Sequence, residues 1–557
     1  MRRSIVLAIT VSAALVSAAC AFLHARGGPA DTYWTIDNGG KALVVENLRE
    51  DAGRTWIRYP GAVIDPEFRW FPLPLGGSEP YGVVRDGQVQ SQYASAFTWA
   101  SLPGARLAGF VGLGILPALG AGLAVLFTGL LAAARAGGRA GMIAALMTAL
   151  ASPLLFYGSV FWEHTLVMAL AAAAFWLLRT ERPAGAGLAV AAAGLFREEL
   201  FLLAAAVGVA LLLAGRWREV VRYSAGTLAG GSVVLAFQRA TTGSWTGVHL
   251  AVNRPVPFAQ AGEALSGLLF SGGPEVAVWR GLAGLALLAA ARWWPGAPPT
   301  DGETAAGEAP GGSGIAPGLR VTGLRIAGLL VLAAVSVHAW IRFPSGEDAA
   351  LALIHANSAA IFVPWAIAAF LLPPRKGAAP LDLLSLSALL YVALFCILVP
   401  QRSITGVHPG PRMLLPVLPV AAALAAERFP RGRVAAGAFL VLILAAGVWG
   451  ARAGQLLREK RAHSGAIIAA LREDPRRVVA TDQFWLPTEL SALWDEKQFH
   501  LITGPEDLNG LAAAVAASGE TELLLVTAPG SSPDAPVRTV RNARFASFSV
   551  DFHAVPL

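Results

Sequence analysis

The stretch "RTERPAGAGLAVAAAGLFREELFLLAAAVGVALLLAGRWREVVR", at positions 179–222, decides the fold. Two apolar runs, 186–196 and 200–213, are parted by Arg197, Glu198 and Glu199 and flanked on both sides by basic clusters. Basic residues next to apolar runs mark the cytoplasmic side of a membrane. With "RTERP" and "RWREVVR" on the same side, an even number of crossings lies between them. The stretch therefore reads as a transmembrane hairpin. Its charged tip belongs at or near the outer face, because charge held in mid-membrane is costly.

Composition agrees. Of 557 residues, 55% are hydrophobic and only 14% charged, and the mean hydropathy is +0.57. Lipid is the solvent that suits such a chain. The net charge of +7 is modest and sits in short clusters between apolar runs, which points to membrane orientation and not to nucleic acid. Cys20 and Cys396 both lie inside apolar runs and suggest neither a disulfide framework nor a metal site.

Further apolar runs cover 110–132, 142–157, 166–178, 225–237, 278–291, 326–340, 359–372, 383–398, 413–426 and 434–448. With the N-terminal run 5–23, read as a retained helix and not as a removed signal, they make about thirteen spans. The clusters "MRR", "ARAGGR", "RTERP", "RWREVVR", "RWWPG", "PPRKG" and "ERFPRGR" fall at alternate connections, which places the N-terminus in the cytoplasm. An odd number of spans puts the tail outside. The expected organisation is a polytopic α-helical membrane domain over 1–452 and a small extracytoplasmic α/β domain over 453–557. In that tail "VVATD", "KQFHLIT" and "ELLLVT" read as strands and "EDLNGLAAAVAA" as a helix. A Pro/Gly-rich cytoplasmic linker is expected at about 295–318.

The outer face then collects the unusual polar residues. The first outer loop, about 25–105, is rich in Trp and Tyr and longer than a mere connector needs to be. It carries Asp37 in "YWTIDNGGKALVVENLRE", together with Tyr93 and Trp99. Glu163 and His164 lie in "YGSVFWEHTL", Arg197 and Glu198 at the hairpin tip, His355 in "LIHANSAAIF", and His408 and Arg412 in "GVHPGPRMLLP".

The segments "TIDNGGKALVVENL", "SQYASAFTWASLPGARLAG", "SPLLFYGSVFWEHTL", "AGLFREEL", "GLLFSGGPEVAVW" and "GVHPGPRMLLP" follow one another from Thr35 to Pro416. In order and sidedness they resemble the GT-C superfamily of polyprenyl-phosphate-sugar-dependent membrane glycosyltransferases. The similarity is to the bacterial branch related to RgtA/B/C/D-type and dolichyl-phosphate-mannose-type transferases. "VVATDQFWLPTELSALW" in the tail resembles the outer domain of some members.

This resemblance implies a sugar transfer, inverting at the anomeric carbon, on the outer side of the bacterial cytoplasmic membrane. The donor would be a polyprenyl-phosphate sugar, and the acceptor a lipid, a glycan or a protein. It also implies a carboxylate in the first outer loop beside an interfacial helix, a position that Asp37 matches. Where the family often has two adjacent acids, this chain has Asn38. A carboxylate here can take the acceptor's proton, and Asp37 also fits as a helix cap.

Glu163 is the second acid, assisting an acceptor or capping the next span. With His164 it offers two ligands to a divalent cation, a weak metal signal that leaves cofactors open. Arg197 is suited to a donor phosphate or to pairing with Glu198. Arg412 is suited to holding the released lipid phosphate, with His408 beside it, or to meeting lipid headgroups. His355, Tyr93 and Trp99 are candidates to line the sugar or acceptor site, or to anchor at the interface.

Two other classes keep the same topology. A transporter or lipid flippase calls for charges deep in helices or inverted repeats, and a non-catalytic scaffold would merely present the tail. No dinucleotide fingerprint, zinc-binding helix motif or nucleophile elbow stands out.

Overall fold

The computed structural model describes residues 3–248 apart from 52, 54, 76–80 and 94, then 317–342, 357–372, 382–399 and 407–557 apart from 431 and 532–534, with a few isolated helical positions between 265 and 286. Most of the 295–318 linker and of the 278–291 run, and His355, lie outside the described residues.

Four described helices are long and apolar enough to cross a membrane: Arg3–Arg26, Ile115–Ala136, Trp217–Thr242 and Arg433–Glu473. Six shorter apolar helices accompany them, among them Pro183–Phe196 and Leu200–Leu213. These two are the arms of the expected hairpin, and the break falls at Arg197–Glu199. Leu7, Leu15, Phe22, Leu213 and Leu228 are each more than 60% exposed, as lipid-facing side chains of a membrane bundle are. Between helices the contacts are close. A Cβ at Gly187 would overlap the backbone of Tyr223, and one at Gly226 that of Ala184, so small residues let Pro183–Phe196 and Trp217–Thr242 pack backbone to backbone.

Several boundaries differ from the apolar runs, each for a local reason. Helix Ser95–Leu113 starts inside the stretch read as outer loop, and the chain bends at Ala108–Gly109, where Gly109 has φ +55°. The run 142–157 divides at Pro153 into Gly138–Leu150 and Leu154–Gly158. The run 359–372 divides at Val363–Pro364, since proline breaks the helical hydrogen-bond ladder. The run 413–426 opens as a 3-10 turn, Arg412–Val417, with Pro416 inside it. At helix ends that the sequence assigns to the cytoplasm, Arg135 bonds Glu427 at 2.7 Å and also pairs with Asp382, the N-cap of Leu383–Leu398.

The first loop folds into a helix, Ile36–Glu50, interfacial in that it packs between helix Ser95–Leu113 and the C-terminal turn Leu486–Glu489, and a small antiparallel sheet. Its strands β1 (Trp56–Ile57), β2 (Gly82–Arg85) and β3 (Gln88–Ser91) lie in the order β1-β3-β2. Asp86 and Gly87 both take positive φ (53° and 70°), the two-residue turn that an Asp-Gly hairpin favours.

The run 434–448 continues without interruption as one 41-residue helix, Arg433–Glu473, into the C-terminal sheet. There β4 (Val478–Thr481), β5 (Gln498–Leu501), β6 (Glu522–Thr527), β7 (Arg538–Val540) and β8 (Val550–Pro556) form the order β5-β4-β6-β8-β7. The first three strands are parallel, and β8 and β7 extend the sheet antiparallel.

This sheet is fastened to the first loop. The Leu501 amide donates to the Trp70 carbonyl at 2.9 Å, and the Trp494 indole to the Arg58 carbonyl at 2.7 Å. Arg461 of the long helix donates to the carbonyls of His24 and Pro29, both at 2.8 Å. The Tyr59 hydroxyl donates to Asp65 at 3.0 Å and lies 2.8 Å from His500 Nδ1.

Candidate active site

The site is built where three loops meet the start of the interfacial helix. Asp37 stands in the first turn of Ile36–Glu50, where the helix dipole favours a carboxylate. Its neighbour Asn38 is 1% exposed. The Asn38 side chain accepts from the Thr35 amide at 3.2 Å, one half of a capping box, and donates to the Phe161 carbonyl at 2.9 Å. The residue that departs from the double-acid pattern thus ties the helix to the loop bearing Glu163.

Around Asp37 the chain brings distant residues together. The Tyr93 hydroxyl donates to Oδ1 at 2.6 Å, and Arg412 Nη1 lies 3.3 Å from Oδ2. The Arg412 guanidinium also lies 5.4 Å from the centre of the Trp162 ring, a cation–π arrangement. Burial alone would raise the Asp37 carboxyl. Arg412, Lys41 and the Tyr93 hydrogen bond outweigh it and hold the group below the usual carboxylate range. Burial, and then the Asp37 charge, push the Tyr93 phenol well above its ordinary value, so it remains a donor.

Glu163 belongs to a second, deeper cluster. Lys41 Nζ meets its Oε2 at 2.7 Å, and Arg197 Nη1 its Oε1 at 3.3 Å. Lys41 was not singled out in the sequence, although it sits one turn after Asp37 on the same helix face. Arg197 takes Glu199 as its partner, bonding Oε1 through Nε at 2.6 Å, and Arg197 Nη1 lies 3.2 Å from the His164 ring. The expected Arg197–Glu198 pairing is corrected here. Glu198 instead accepts from Gln238 at 3.1 Å, on the helix Trp217–Thr242. Helix Pro183–Phe196 ends at Arg197 in an extended conformation, and this turns neighbouring side chains toward opposite walls.

The loop bearing His408 and Arg412 is pinned through its carbonyls. Trp34 donates to Val407 at 2.6 Å and Tyr157 to Pro409 at 3.0 Å. His408 is 1% exposed, and its Nδ1 lies 3.0 Å from the Gly410 carbonyl, which only a protonated nitrogen can use. Tyr391 donates to the Met413 carbonyl at 3.1 Å, and Arg197 Nη2 approaches the Met413 sulfur at 3.5 Å. Trp99 is partly buried against the core, outside this network. Glu163 and His164 gather no third ligand: among the described residues no group of three or more His, Cys, Asp or Glu side chains could hold a metal ion.

The 3-10 turn Arg412–Val417 links the polar site to an apolar cavity of about 550 Å³. Arg412 faces Asp37 at one end of the turn. Leu414 and Val417 form part of the cavity wall, with Phe370, Ala388, Val392 and Cys396.

No family model matches this sequence, and no curated protein matches it either. Solved structures do. ArnT from Cupriavidus metallidurans in the apo state superposes with a TM-score of 0.50 at 13% identity, over 99% of this chain and 97% of that one. The same ArnT bound to undecaprenyl phosphate gives 0.49 at 13% identity, over 98% and 97%. The Archaeoglobus fulgidus oligosaccharyltransferase tethered to an acceptor peptide gives 0.44 at 13% identity, over 94% of this chain and 69% of that one. The near end-to-end correspondence with apo ArnT identifies the architecture: this chain has the GT-C membrane fold.

Proposed function

We propose that this protein is an integral membrane glycosyltransferase that moves a sugar from a polyprenyl-phosphate donor to an acceptor hydroxyl on the outer side of the cytoplasmic membrane. The observation that carries the reading is the single turn Arg412–Val417, whose Arg412 pairs with the Asp37 carboxylate while Leu414 and Val417 wall an apolar cavity. A lipid-linked sugar phosphate is a ligand with that division, one charged end and one long apolar end. The GT-C fold is consistent with this reading, and the ArnT of that fold has been solved with undecaprenyl phosphate.

In this reading Asp37 is the general base. The acceptor oxygen attacks the anomeric carbon, its proton passes to Asp37, and the bond from the anomeric carbon to the phosphate oxygen breaks. The electron pair leaves on the polyprenyl phosphate, whose developing charge Arg412 stabilises. A single displacement of this kind inverts the anomeric centre. Glu163, Lys41 and Arg197 hold the base's surroundings rigid, and His164 and His408 line the site beside them.

The test is to assay purified protein against a panel of polyprenyl-phosphate sugars. Release of polyprenyl phosphate with sugar transfer is expected, together with loss of about 10²–10⁴-fold in turnover for Asp37→Asn. Absence of release with every donor overturns the proposal, and near-normal turnover of Asp37→Asn overturns the role of the base.

A further inference from the structure

The C-terminal domain meets the helix that bears Asp37 at the Thr488–Glu489 peptide. Lys460, on the extension of the long helix beyond the apolar stem, forms an ion pair with Glu489 in which both side chains are 1% exposed. The ammonium also lies 3.9 Å from the centre of the Phe548 ring. A buried pair so enclosed fixes its backbone, because either charge left alone in this apolar surround would be costly. Glu489 ends the short turn Leu486–Glu489. The carbonyl of the preceding residue, Thr488, lies directly against Gly39, where any Cβ would overlap it.

Gly39 is two residues beyond Asp37 on the interfacial helix. On another side of the same helix, a Cβ at Gly40 would come within 3.2 Å of the Tyr93 ring, whose hydroxyl bonds Asp37. The first turn is therefore set between the Thr488–Glu489 peptide and Tyr93, with Asn38 tied to Phe161.

We propose that Glu489, held by Lys460, is a positioning residue for Asp37, and that the Thr488–Glu489 peptide is the seat on which Gly39 sets the interfacial helix. The C-terminal domain is then part of the transferase machinery and not a separate appendage. This inference rests on the reading of Asp37 as the base. Its action is indirect: Glu489 works through the placement of the helix.

The experiment compares the full-length parent with Gly39→Ala and Glu489→Gln, in detergent or lipid discs, by two readouts. Alanine favours helix over glycine, so Gly39→Ala leaves the isolated helix at least as firm and disturbs only the seat. Amide exchange over residues 38–44 is expected to quicken roughly tenfold or more in both variants. The acid limb of the turnover–pH profile is expected to move up by about half a pH unit or more, as Asp37 draws away from Arg412 and Tyr93. Turnover per folded molecule is expected to fall about tenfold or more, with donor KM little changed.

Unchanged exchange in Gly39→Ala overturns the coupling. Faster exchange with an unmoved acid limb overturns the positioning role and makes the pair a structural clamp. Because exchange needs no substrate, its outcome stays separate from the Asp37→Asn result that judges the proposed function.

Discussion

The phenol of Tyr93 donates a 2.6 Å hydrogen bond to Asp37 across 56 residues of chain. It is one of the groups that hold the Asp37 carboxyl below its ordinary value of 3.8 against the opposing effect of burial. Removing it in Tyr93→Phe raises that carboxyl. Turnover needs the carboxylate, so the acid limb of the pH–rate profile shifts to higher pH. A hydrogen bond to a charged group contributes about 1.5–3 kcal/mol, so the loss of turnover should be seen on the acid side, where the raised carboxyl is protonated, and be small at neutral pH. The profile of the purified variant checks both. The linked stability has a definite sign: a depressed carboxylate contributes stability above its unfolded value, and this is lost as the pH falls below about 4.

Arg412 faces Asp37 with one nitrogen, 3.3 Å from the carboxylate. If its guanidinium also holds the lipid phosphate, Arg412→Lys should weaken donor binding about ten- to a hundredfold, since lysine keeps the charge and loses the planar fork. Arg412→Ala should be weaker still, with the acid limb raised. A Lys variant that binds donor like the parent reduces Arg412 to a partner of Asp37.

Glu163 is 5% exposed and sits between Lys41 and Arg197. Glu163→Gln removes the carboxylate paired with Lys41 and leaves Arg197 with Glu199 alone, and breaking a buried pair costs about 3–5 kcal/mol. The expected result is a lower unfolding temperature. Adding Lys41→Met to the same protein should restore part of it, as measured by thermal unfolding in detergent. A single variant as stable as the parent would show that the network tolerates the loss, and Glu163 would then have to be judged by turnover alone.

The burial of His500 beside Tyr59 gives the joint between the first loop and the C-terminal sheet a pH dependence. Burial pushes the His500 imidazole down to about 4, below its unfolded value of about 6.5. Between those values the unfolded chain binds the proton and the folded one does not, so stability falls as the pH drops from about 6.5 to 4, by at most on the order of 3 kcal/mol. His500→Gln should flatten that slope, which unfolding temperature against pH would reveal.

The alternation of basic clusters predicts that Leu557 lies outside and Gly312 inside. A reporter active only outside the cytoplasm should work when fused at Leu557 and fail at Gly312. A stable but inactive fusion at Leu557 defeats the odd number of spans.

Local chemistry alone made the membrane class, the hairpin break at Arg197–Glu199 and three of the five C-terminal strands legible, because each is written within a few residues as hydropathy, charge or alternation. The Asp86–Gly87 turn was equally local and was passed over. β7 and β8 were not, since β7 is a short, largely exposed edge strand and β8 reads as one only beside β6. The sequence by itself also singled out polar residues that the fold brings together, Asp37, Glu163, Arg197 and Arg412 among them. Only the tertiary structure decided their partners. Lys41 became the counter-ion of Glu163, Glu199 displaced Glu198 as the partner of Arg197, and the Thr488 carbonyl came to rest on Gly39. Those pairings join residues up to hundreds of positions apart, and the geometry that selects one carboxylate over its neighbour exists only after the helices have packed.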